Sequence, residues 1–178
     1  MNTTLNEIRA HSPCADGWRK LLTHLGKSAA DDELLPIATV LDSNGLDDAL
    51  WCLRAVTGHD REIRLYAVWC ARQVAHMMTD KRSIVALKVA ERYANGLASK
   101  EELAAAGAAA WAARAARAAA GAAAWTAGAA AWAARNAAWD AAGAAAWNAS
   151  KDKQSAELRR VCLCIDSGTD PYPIKESA

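Results

Sequence analysis

GAAAWAARAARAAAGAAAWTAGAAAWAARNAAWDAAGAAAWNA, residues 107–149, decides the fold. From position 104 to 149, 30 of 46 residues are alanine, and what interrupts the alanine falls in sevens. Trp111, Trp125, Trp132, Trp139 and Trp147 hold one heptad slot, and Gly107, Gly121, Gly128 and Gly143 each stand four residues ahead of a tryptophan. Alanine is the strongest helix former, and a glycine in a helix interior costs about 1 kcal/mol against it. Four glycines in such a run imply close packing that offsets the cost. A long side chain on a helix leans back over the preceding turn, so a glycine there leaves room for the indole or for a neighbouring backbone.

One residue breaks the sevens. Strict heptads drift about 20° per repeat on a straight helix, but the extra Ala142 makes Trp111 and Trp147 36 residues apart. At 3.6 residues per turn that is a whole number of turns. The pattern therefore reads as one long, nearly straight helix, or two collinear halves, with a Trp/Gly seam between alanine-lined flanks. The seam packs into the protein's own core, or is shared with a partner chain or with a second copy, a homodimer through the long helix.

Working outward, the chain reads as helix after helix, an all-α, single-domain bundle over 1–165. Residues 99–150 carry the heptad helix and 166–178 form a C-terminal tail. Thr4 with Glu7, and Ser99 with Glu102, have capping-box spacing. Asp16 is placed to cap a helix that Gly26 closes, and Pro36 suits a helix start, giving a short helix over 35–41. Leu46, Leu50, Leu53 and Val56 recur at helical spacing. Residues 60–78 are apolar nearly all round, which marks a central helix, and 84–93 form another. Lys151 to Arg160, with VCLCI behind it, reads as a last amphipathic helix packing back. No segment alternates as a strand would.

A net charge of +1 gives no global sign of nucleic acid or of an acid-seeking partner, but the local distribution is uneven. Residues 28–53 contain no Lys or Arg, yet hold Asp31, Asp32, Glu33, Asp42, Asp47 and Asp48; residues 54–100 carry nine Lys/Arg against four Asp/Glu. The acids are either solvated helix ends and caps or a partner-facing edge. Five cysteines follow no disulfide framework. MNTTLNEIRAHSP lacks the apolar core of a signal peptide, so a reducing cytoplasm is expected. Residues 118–134 carry no charge, but alanine is weakly apolar and arginines flank the run, so no membrane span is expected.

The chemistry of sites is sparse. Four histidines and five cysteines match no structural zinc spacing, and there is no phosphate loop, dinucleotide fingerprint or nucleophile elbow. Arg114, Arg117 and Arg135 stand without basic company, which argues against nucleic acid. No catalytic residue, metal or cofactor is expected.

The runs LDSNGLDDALWCLRAV (41–56), DREIRLYAVWCARQVAHMM (60–78) and VAERYANGLASKEELAAA (89–106), followed by an Ala/Trp/Arg helix, resemble the immunity proteins of bacterial polymorphic toxin systems, the immunity-five-like family. That family also occurs in phage and prophage genomes. The likeness covers about residues 36–160. It implies an all-helical, non-enzymatic protein that binds and neutralises a toxin in the producing cell, and it carries over no site residues. A phage-borne inhibitor acting by protein binding, or a self-associating helical scaffold, is the alternative expectation.

Overall fold

The computed structural model describes residues 1–78 and 80–174, with side chains described except at 117, 119–142, 144 and 145. The protein is all-helical apart from one minimal strand pair. In chain order the elements are β1 (Asn2–Thr3), α1 (Leu5–Ala10), α2 (Ala15–Leu25), β2 (Leu35–Pro36), α3 (Ile37–Asn44) and α4 (Leu46–Cys52) with a 3-10 turn at Leu53–Ala55. There follow α5 (Asp60–Gln73) with a 3-10 turn at Ala75–Met77, α6 (Lys81–Ala94) and α7 (Lys100–Asp166). The chain forms two compact units, Met1–Tyr66 with Lys151–Ala178, and Ala67–Ser150.

In the first unit the core is built by short helices whose apolar faces meet the end of α7. Ile8, Ile37, Val40, Ala49, Leu158, Val161 and Cys162 are all essentially sealed from solvent. Each boundary has a local cause. Thr4 Oγ1 accepts the Glu7 N–H at 3.1 Å and starts α1, but the Glu7 carboxylate turns to the Thr3 hydroxyl at 3.0 Å rather than closing a full capping box. Gly26 ends α2 with φ of 65°, a left-handed conformation that suits glycine. The cap at the other end of α2 differs from expectation. Cys14, not Asp16, is the N-cap, its Sγ accepting the Gly17 N–H at 3.4 Å, and Asp16 lies inside the first turn.

Leu35 and Pro36 also depart from the helix expected over 35–41. They pair antiparallel with Asn2 and Thr3, and α3 starts only at Ile37 and runs on to Asn44. Proline has no N–H to give to a helix or ladder, so it stands at the join. Residues 170–172 are tied down as well. Pro171 is buried, and Arg61 donates to the Asp170 carboxylate at 3.0 Å and to the Tyr172 carbonyl at 2.6 Å.

The second unit holds the rest of α5, α6 and most of α7. Asp80 caps α6, accepting the Arg82 N–H at 2.9 Å, so this helix starts at Lys81 rather than at Ile84. The capping box expected at the head of α7 is complete: the Glu102 N–H donates to Ser99 Oγ at 3.1 Å and the Ser99 N–H to Glu102 Oε2 at 2.7 Å. Helix α7 then continues for 67 residues. The separate last helix expected after residue 150 is its continuation, because nothing from Lys151 to Asp166 breaks a helix.

The Trp/Gly seam is described only at its ends, and there it lies open. Trp111 is 66% and Trp147 65% exposed, and an added Cβ at Gly107 or Gly143 would meet nothing within 4 Å. The Arg114 guanidinium rides 5.1 Å above the Trp111 ring. The side chains at Trp125, Trp132 and Trp139, like positions Gly121 and Gly128, lie outside the described residues. Residues at the end of α5 and on α6 also show apolar surface: Val74, Met77, Ile84 and Val85 are exposed.

Candidate functional site

The six acids of residues 28–53 fall into two groups with different partners, and none is fully buried. In the first, the Lys27 ammonium stands 2.6 Å from both Asp31 Oδ2 and Glu33 Oε2, while Asp32 accepts from the Asn6 amide at 2.8 Å. The hydrogen bond from Lys27 holds the Asp31 carboxyl below the usual carboxylate range and raises the Lys27 ammonium. The second group lies on α3 and α4 against the end of α7. Arg159 donates to Asp42 at 2.5 Å, Lys151 to Asp47 at 2.5 Å, and the Asn44 amide to Asp48 at 2.8 Å. The Arg159 hydrogen bond lowers the Asp42 pKa. Among the described residues, these six carboxylates thus face three cations, Lys27, Lys151 and Arg159. The sequence pattern located the acids but not these partners, two of which come from more than a hundred residues away.

Asp48 stands out within the second group. No cation reaches it among the described residues; it lines a cleft of about 110 Å³ with Cys14, Gly17, Trp18, Asn44 and Trp51 at its rim. Ile8, Leu21, Val40 and Cys52 close the floor. The Asn44 amide donates both to Asp48 Oδ2 and to the Gly17 carbonyl, each at 2.8 Å, and so ties α4 to α2. Gly17 has to be small at this point: a Cβ there would stand 2.8 Å from Asp48 Oδ2 and 3.1 Å from Cys14 Sγ. Burial pushes the Cys52 thiol up to about 11, with the Asp48 charge adding to the effect and Arg54 opposing it. A thiol so held stays protonated at neutral pH and behaves as a small apolar residue.

A second polar cluster was not foreseen. Glu157, 9% exposed, is forked by Arg160 at 2.7 and 2.9 Å and accepts the Tyr172 hydroxyl at 3.0 Å. Arg160 also donates to the Pro171 carbonyl at 3.1 Å and stacks 5.4 Å over the Tyr172 ring. The Arg160 hydrogen bonds hold the Glu157 carboxyl below its ordinary range. This cluster has the character of a structural clamp for the C-terminal segment.

Among the described residues no group of three or more His, Cys, Asp or Glu is placed to hold a metal ion, and no helix is long and apolar enough to cross a membrane. No family model, curated protein or solved structure matches the chain.

Proposed function

We propose that the chain is a non-enzymatic binding protein that neutralises a partner protein in the cytoplasm, as the bacterial toxin-immunity proteins it resembles do. The observation that carries this reading is the two groups of exposed acids on the first unit. Glu33 and Asp47 are about three-quarters exposed and their neighbours are held by Lys27, Asn6 and Arg159, so the carboxylates are fixed in place yet open to a basic surface. Exposed ion pairs of this kind contribute little to stability, whereas fixed exposed charge raises association rates and excludes wrong partners. The partner is a protein with a complementary basic patch.

The test is co-expression with the product of the adjacent gene, scored by rescue of growth and by recovery of a complex from purified components. Rescue with a complex whose association slows steeply with salt is the expected result. Absence of both overturns the reading. The open ends of the α7 seam favour self-association as a second reading, which sedimentation at rising protein concentration tests directly: a monomer at every concentration refutes it.

A further inference from the structure

We infer that the cleft between α2, α3 and α4 is a binding site for a small organic cation, an ammonium or guanidinium on a short alkyl stem, with Asp48 as its counter-ion. The inference is independent of the proposed toxin-binding role and rests on geometry. The floor is sealed and apolar, and two half-buried indoles, Trp18 and Trp51, stand at the rim. Into this surface projects a carboxylate with no cation beside it among the described residues. The Asn44 amide satisfies Oδ2, and Oδ1 is open to solvent and so to a ligand, since no buried side-chain oxygen among the described residues lacks a partner. Oδ1 accepts no hydrogen bond among the described residues.

Three further features select a cation over other ligands. Glycine at position 17 leaves space beside the Asp48 carboxylate, where a Cβ would stand 2.8 Å from Oδ2. Two indoles stand at the rim and an indole face attracts a cation; Arg54, 4.3 Å from the Trp51 centroid, already takes one face of that ring. The Asn44 amide, shared between Gly17 and Asp48, fixes the carboxylate before any ligand arrives. Pre-organisation of this kind lowers the cost of binding. The volume of about 110 Å³ sets the stem. A cavity of about 150 Å³ takes benzene, so this one suits a chain of about four carbons. Anions are repelled by Asp48.

The test titrates the full chain, uniformly ¹⁵N-labelled, with n-butylguanidinium and separately with its neutral isostere n-butylurea, following the Gly17 amide and the Trp18 indole N–H. A hydrogen bond to a charged group favours the cation by roughly tenfold or more over the isostere. The expected result is saturable, cation-preferring shifts at these two signals, and in Asp48→Asn the loss of that preference with butylurea shifts unchanged. Equal affinity for the two probes in the parent overturns the inference, as does an absence of saturable shifts, or an Asp48→Asn protein that keeps the preference. Should Asp48→Asn fail to fold, the comparison of the two probes on the parent decides alone.

Discussion

Replacing Glu157 by Gln tests how the C-terminal segment is held. The carboxylate is 9% exposed and receives two bonds from Arg160 and one from Tyr172. Breaking a fully buried ion pair costs about 3–5 kcal/mol, but the Arg160 side chain is 46% exposed and keeps its bond to Pro171, so solvent absorbs part of the loss. We expect about 2 kcal/mol at pH 7. For a chain of this length each kcal/mol moves the midpoint by roughly 2–4 °C, giving a drop of about 4–8 °C in a melt followed by circular dichroism. The pH dependence gives a second readout. The folded Glu157 pKa is depressed, chiefly by Arg160 and then by Tyr172. Its stabilisation is therefore complete above the unfolded value of about 4.3 and is lost as pH falls through the lower folded value. The gap between parent and Glu157→Gln should close as pH drops below about 4. Equal midpoints at pH 7, or a gap that persists undiminished to pH 3, would refute the reasoning.

Tyr172→Phe removes one bond of the same cluster and should cost about 1 kcal/mol, with a double variant short of the sum because the two share Glu157. Ser99→Ala breaks the capping box and should cost about 1 kcal/mol, seen as faster amide exchange confined to the first turn of α7; unchanged exchange there would sink the assignment. Asp32→Lys is the cleanest probe of the first acidic group, since among the described residues its carboxylate meets only the Asn6 amide, whereas Asp31 and Glu33 hold Lys27. It should leave the melting temperature near the parent value while slowing association with a basic partner at low salt, and equal association rates would reduce the site to ordinary surface.

The helical class and the position of the long helix were legible because alanine propensity and the Ser99/Glu102 spacing act locally. Gly26 as a helix stop was legible for the same reason. What failed was set by composition changes that carry no backbone signal. Lys151 to Arg160 differs from the alanine run in polarity but contains neither proline nor glycine, so α7 passes through it. Helix α6 begins ahead of its first apolar side chain, Ile84, because the polar cap Asp80 fixes its start at Lys81 and no apolar periodicity marks that turn. The β1–β2 pair is two residues long, too short to show alternation. The acids were visible as a stretch without Lys or Arg, whereas the Asp48 cleft draws its walls from residues 8–21 and 40–52 and has no sequence signature.

The contribution of α7 to the first unit bears on how the protein is born. Leu158, Val161 and Cys162 complete a core whose other members all precede residue 67. Ribosomes add about 5–20 residues per second, so the 91 residues between Tyr66 and Leu158 take roughly 5–20 s to make. Throughout that interval the nascent α1–α4 segment lacks Leu158, Val161 and Cys162. Transiently exposed apolar surface is what makes incomplete folds need chaperones, so any such need of this chain falls in the time between the two halves of the unit rather than on the finished fold.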